Sequence, residues 1–274
     1  MYKKNHNPHE VPLALQDAQG KKRRNPNGIT VNQHVIPQAH LKEWLREDGL
    51  LNVFDKQKQS WFTPAPEDAF SVQRLWDQWT EKTFLGTNER NFQNQADLIK
   101  AGQPIERHEH VSAYFFMLCI RAWVAAQERP DYPSSMELSS QQLSQSELED
   151  IELQNVGASV HLSFPGDGDS QSAARETVKL AMNLMFIRGV HKFQGMVWTP
   201  VAMNEVDAIL PDSLIKIDEA GLAILPVTPK IVLTGFRASS GLACAATLTP
   251  SAINEKLISS SVRHFVAKHQ TSSK

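Results

Sequence analysis

The chain has 274 residues, 41% of them hydrophobic and 21% charged, with a formal net charge of −2, the profile of a globular protein able to bury a substantial core. So small a net charge excludes a global basic field that would draw the whole molecule to nucleic acid or an acidic membrane, so any such contact is local. The opening MYKKNHNPHE has no apolar stretch of the signal-peptide kind, and the longest apolar run, 111–120, is about half a membrane span and leads into Arg121; a cytoplasmic protein with no transmembrane helix is expected.

Residues 1–29 mix Lys, Asn, Pro and Gly without a sustained period and are expected to form a disordered basic arm. Six basic residues (Lys3, Lys4, Lys21, Lys22, Arg23, Arg24) face two acidic ones (Glu10, Asp17) there. That cluster suits either a solvated tail or a local nucleic-acid contact. Residues 30–268 are expected to be a single domain, with 269–274 as a second disordered tail.

Within VNQHVIPQAHLKEWL, His34 stands just ahead of Pro37, which fits the first turn of a short helix carrying Leu41, Trp44 and Leu45 and ended by Gly49. LLNVFDKQKQSWFTP reads as a hairpin around a polar turn. From Ala69 to Lys100, apolar residues from Phe70 to Ile99 suggest two or three amphipathic helices broken near GTNE. Ile105–Glu128 is apolar on all sides, the mark of a buried helix. Residues 134–154 read as an exposed polar loop with one helix, SFPGDGDSQS as a loop, and 172–186 as a further helix. Past Gly195, runs such as MVWTPVAM, GLAILPVTPKIVLTGF and LACAATL are strand-like. Thr249 and Pro250 then open a last helix, and HFVAK returns to an extended pattern. The two cysteines, Cys119 and Cys244, lie in apolar runs without metal-ligand spacing and read as reduced core thiols. The fold class expected is α+β, a helical N-terminal two-thirds packed on a small, mostly antiparallel C-terminal sheet.

The order of these pieces resembles a widespread, largely bacterial domain-of-unknown-function family, number 4238. Its members open with His-x-x-Pro-x-x-x-Leu-x-x-Phe, and here His34, Pro37 and Leu41 match while Trp44 replaces the aromatic Phe. Asp212 and Ser213 in LPDSLI depart from the family's Ser-Asp-x-Pro order, and Pro226, Thr228 and Pro229 correspond to its Pro-Leu-Ser-Pro strand. Asn254 and Arg263 match its closing segment. The resemblance covers about residues 30–268 and implies no particular activity.

Ahead of a helix N-terminus, where backbone N–H groups hold anions, His34 suits an acid/base or ligand role beside a phosphate; it equally suits a hydrogen-bonded tie between the first helix and the core. HVIP also invites comparison with histidine–metal finger nucleases, but Gln33 stands where those enzymes carry a metal ligand. ERHEH lacks the spacing of a zinc helix and reads as a solvated first turn, and PGDGDS lacks the closing glutamate of a calcium loop. Arg121, set in an apolar helix, needs a carboxylate partner. Asp212 is the preferred one, with Asp77 and Glu81 as rivals. The candidate site is therefore His34 and Asp212 as catalytic residues, with Gln33, Gln38, Arg121, Asn254 and Arg263 binding substrate and no metal or cofactor assigned. It would belong to an enzyme, hydrolase or nuclease-like, acting on a phosphate-bearing ligand or nucleic acid. The alternative is a non-catalytic binding or assembly module in which His34, Arg121 and Asp212 are structural.

Overall fold

The computed structural model describes residues 30, 32–127, 170–214, 222–237 and 248–270. The chain enters through β1 (Asn32–His34) and a four-residue helix, α1 (Gln38–Leu41), which tightens into a 3-10 turn over Lys42–Trp44. The expected hairpin follows as β2 (Asn52–Asp55) and β3 (Ser60–Phe62). Two strands alone are marginal in water. β2 gains a second partner in β9 (His264–Ala267), which also pairs with β6 (Leu210–Pro211), giving the order β3-β2-β9-β6. β4 (Ser71–Gln73) pairs with β1, so that His34 lies opposite Ser71. A third sheet has β8 (Ile231–Arg237) between β5 (Met196–Ala202) and β7 (Ala223–Thr228). Every pairing is antiparallel.

The mixture of helices and strands is as expected, but its arrangement corrects the sequence reading. Four of the nine described strands lie between residues 32 and 73, ahead of the long helices, and the strands form three sheets. The N-terminal hairpin and the C-terminal strand share one of those sheets. Helices are thus not an N-terminal block set on one small C-terminal sheet. Strands of three residues, such as β1 and β4, are too short to show a period of two, and local pattern carries no record of long-range pairing.

α2 (Gly86–Lys100) is entered through a π-helical turn over Thr80–Leu85, so the break expected near GTNE is absent. α3 (His108–Ala126) falls within the expected 105–128, and α4 (Ser170–Phe193) runs past the expected end at 186. α5 (Pro250–Ser260) starts as expected, with the Thr249 hydroxyl accepting from Ala252 N–H at 3.2 Å and Pro250 in the first turn. α3 packs between α2 and α4. A side chain at Gly189 would begin 1.7 Å from the Phe116 ring, so this glycine permits the close approach of α3 and α4.

The sheet β5-β8-β7 is covered on both faces. Ala223, Leu225 and Leu233 join the core of α2, α3 and α4, while Ile224 and Val232 join Ile253, Leu257 and Phe265. A third core gathers Ile36, Leu41, Trp44, Leu51, Phe70 and Val266, with Trp44 Nε1 donating to the Ala208 carbonyl at 2.9 Å. Cys119 packs against the helical core and burial pushes its thiol up to about 12, in keeping with an inert core residue. Among the described residues no helix is long and apolar enough to cross a membrane. The arm 1–29, the polar stretch 134–154, the loop residues 163–169, the run 242–247 with Cys244, and 271–274 lie outside the described residues. Of the stretch 269–274 expected as a tail, Gln270 donates from Nε2 to Asn52 Oδ1 at 3.3 Å.

Candidate functional site

Arg121 is 1% exposed on α3, where a bare guanidinium would cost several kcal/mol. Its carboxylate is Glu89 of α2, with Nη2 2.6 Å from Oε1. The partner is therefore neither Asp212, the preferred candidate, nor Asp77, which pairs with Lys179 at 3.3 Å. The guanidinium also lies 5.7 Å from the Trp76 ring centre, a cation–π contact. Arg121 Nε and Nη1 remain buried with no hydrogen-bond partner, a feature that native interiors rarely retain.

Glu81, on the π turn, completes this cluster. Its Oε2 accepts from Trp76 Nε1 at 2.6 Å. Burial raises its pKa, with the Glu89 charge adding and the Arg121 charge and the Trp76 bond opposing. The two glutamates are eight residues apart, which in an unbroken α-helix leaves side chains about 80° apart around the axis. A π turn accommodates an additional residue, so across it they keep the near-common face of an i, i+7 pair. Glu89 escaped the sequence reading for this reason, and Glu81 entered it only as a rival partner for Arg121. The signal to seek is a carboxylate pair at spacing eight on a helix otherwise in register.

His34 ends β1, half-buried, and burial lowers its pKa, opposed by the backbone at Glu67 and Pro66; the Arg121 charge lowers it further and Glu89 raises it. Gln38 Nε2 lies 3.3 Å from His34 Nε2. The anion site expected at the following helix is not there, because α1 has only four residues and no side-chain cap, too few aligned peptides for a useful dipole.

The strand opposite His34 is strained at both ends. Phe70 and Arg74, which bracket β4, have φ of +52° and +40°, left-handed values that cost about 1–3 kcal/mol in non-glycine residues and cluster at functional sites. Phe70 also accepts from Val35 N–H at 2.8 Å, anchoring the residue after His34.

The remaining candidates form a frame. Gln33 is 1% exposed; Oε1 accepts from Leu75 N–H at 2.6 Å and Trp76 N–H at 3.0 Å, and Nε2 donates to the Trp76 carbonyl at 2.7 Å. It thereby fixes the loop that carries Trp76. Asp212 accepts from the N–H groups of Val262, Arg263 and His264 at 2.7–2.9 Å. Arg263 pairs with buried Asp55 at 3.0 Å, and though burial would raise the Asp55 carboxyl, the Arg263 bond and the Lys58 and Gln57 N–H groups hold it well below the usual range. Asn254 accepts from Ile209 N–H and donates to the Asp207 carbonyl. Arg121 thus meets Glu89 and the Trp76 ring, to which Glu81 is also bonded, and the charges of Arg121 and Glu89 act on His34, which Gln38 touches, whereas Asp212 and Arg263 share a network with Asp55 and His264. Phe70 adjoins both, its ring centre 6.4 Å from that of His264.

Two other histidines are structural. His40 is buried between Tyr114 Oη at 2.9 Å from Nδ1 and the Pro226 carbonyl at 2.7 Å from Nε2, and burial lowers it to about 4. In ERHEH, His108 Nδ1 accepts from Trp198 N–H at 3.1 Å. Among the described residues no group of three His, Cys, Asp or Glu is arranged to hold a metal ion. No family model, no curated protein and no solved structure matches the chain.

Proposed function

We propose that the protein is an enzyme, hydrolase-like, acting on a phosphate-bearing substrate through the cluster of His34, Glu81, Glu89 and Arg121. One observation carries this reading: a buried arginine with two unpartnered guanidinium nitrogens acts through its charge on titratable groups driven in opposite directions, His34 downward and Glu81 upward. Groups pushed apart in this way are suited to be base and acid in one reaction.

In the step proposed, a water oxygen attacks phosphorus and its proton passes to the imidazole of His34. The bond from phosphorus to the leaving oxygen breaks, and that oxygen takes the proton held by Glu81. Arg121 offers its free N–H groups to the phosphoryl oxygens. Asp212, Asn254 and Arg263 stand outside the reacting centre in this reading. Gln38, exposed beside His34, orients the imidazole. Cytoplasmic location and membership of family 4238 belong to the same proposal, the latter carried by His34, Pro37 and Leu41.

A structural role for every one of these residues is favoured by Gln33, Asp212 and Asn254, whose polar atoms engage backbone. It leaves the free donors of Arg121 and the strain beside His34 without an account. The test is His34→Gln assayed on an aryl phosphate and on single-stranded nucleic acid. The expected result is an unchanged melting temperature with lost turnover, and a wild-type acid limb below the ordinary histidine value of about 6.5. A loss of activity only in proportion to lost folded protein overturns the assignment.

A further inference from the structure

The Arg121–Glu89 pair is lopsided. The Arg121 side chain is 1% exposed and that of Glu89 33%. Contact runs through one nitrogen and one oxygen at 2.6 Å, not through a two-pronged fork, and leaves Nε and Nη1 of the guanidinium unpartnered. The arginine is fixed by α3 and by the Trp76 ring, while the glutamate reaches in from solvent. A carboxylate held this way is a tethered competitor, since a side chain on the same molecule acts as a ligand of millimolar or higher effective concentration.

We infer that Glu89 is the specificity-determining residue of the site, admitting dianionic phosphate monoesters and turning away singly charged phosphodiesters and carboxylates. The inference rests on the phosphate reading of the site given above. An incoming oxyanion and Glu89 cannot both press charge on one guanidinium without mutual repulsion in a poorly solvated place. The ligand must displace the glutamate, which its partial exposure allows to return to water. A lone carboxylate brings the same charge and similar geometry as Glu89 and gains little by the exchange. A phosphodiester brings one charge shared over two oxygens. A monoester dianion brings twice the charge and three acceptor oxygens, enough to engage Nη2 together with Nε or Nη1. The chemistry selected is therefore a terminal phosphate, on a small molecule or a chain end, over the internal backbone of a nucleic acid.

The experiment is calorimetric titration of the full chain with methyl phosphate, dimethyl phosphate and acetate at about pH 7.5, where the monoester is mostly dianionic. Wild type is expected to bind methyl phosphate at least about tenfold more tightly than the other two. Glu89→Gln should bring all three within about threefold by strengthening the monoanions, and Glu89→Asp, which keeps a carboxylate, should retain most of the preference. A Glu89→Gln protein that keeps the wild-type ratios, or binds every probe more weakly, overturns the role of Glu89 while leaving the phosphate site standing. If folded wild type and folded Glu89→Gln both fail to bind methyl phosphate, or Arg121→Met still binds it, the phosphate reading itself falls. Circular dichroism and melting curves of each variant establish folding, and Glu89→Asp supplies the comparison should Glu89→Gln not fold.

Discussion

The unequal burial of Arg121 and Glu89 makes a stability prediction with a definite order. Glu89→Gln leaves a guanidinium that is 1% exposed without its ionised partner. Breaking a buried pair from one side costs about 3–5 kcal/mol; here glutamine still offers a carbonyl to the guanidinium, so about 2–4 kcal/mol is expected. Arg121→Met removes the buried charge and both unpartnered donors, each of which costs about 1–3 kcal/mol, while its thioether replaces the guanidinium over Trp76. It strands only Glu89, which is one-third exposed and rehydrates. That change should lie within about 1 kcal/mol of wild type, because apolar replacement of a buried ion is often neutral. The double variant should resemble Arg121→Met alone, a coupling of about 2–4 kcal/mol in a double-mutant cycle. Urea denaturation of the four proteins at neutral pH measures it. Additive single effects, or Arg121→Met proving worse than Glu89→Gln, would refute the reasoning.

His40 is expected to make stability depend on pH: its folded value of about 4 lies below the unfolded value of about 6.5, so the unfolded chain binds the extra proton first. Its contribution is present above about pH 6.5 and lost as pH falls toward about 4, a change of about 3 kcal/mol; urea denaturation across that window should show the slope in wild type and lose it in His40→Gln. Gly189→Ala should destabilise by about 1–3 kcal/mol, since the new methyl meets the Phe116 ring at 1.7 Å and that ring is held by Phe186 and Phe193; an unchanged melting temperature would show that α3 and α4 separate freely.

What the sequence made legible is what local rules govern. α3 announced itself through apolar residues on all sides, the β2–β3 hairpin through its polar turn, and α5 through Thr249 and Pro250, each a signal written within a dozen neighbouring residues. The need for a partner at Arg121 was legible as well, but not which partner. Glu89 lies on the far side of the π turn, and period counting at 3.6 residues loses register across such an insertion. β4 was hidden for a related reason. Its three residues are enclosed by left-handed Phe70 and Arg74, residue types that give no hint of positive φ, so the segment looked like the start of an amphipathic helix.

These two blind spots fall at one place, which bears on how the site is built. β1 holds His34 by pairing with β4 and by the Phe70 carbonyl, and the chain reaches the π turn with Glu81 within ten residues of β4. Gln33, next to His34, fastens the intervening Leu75–Trp76 backbone with three hydrogen bonds. Histidine, tryptophan and glutamate are thus set relative to one another by a short path of strained or clamped backbone, while Arg121 and Glu89 arrive on two long, rigid helices. Local propensity opposes such a path, so it must be held by the surrounding contacts. The Phe70 ring is 2% exposed against His264, whose backbone N–H Asp212 binds. The Asp212 network therefore borders this path: it holds the backbone of His264, whose ring packs against Phe70, and the Phe70 carbonyl anchors the residue after His34.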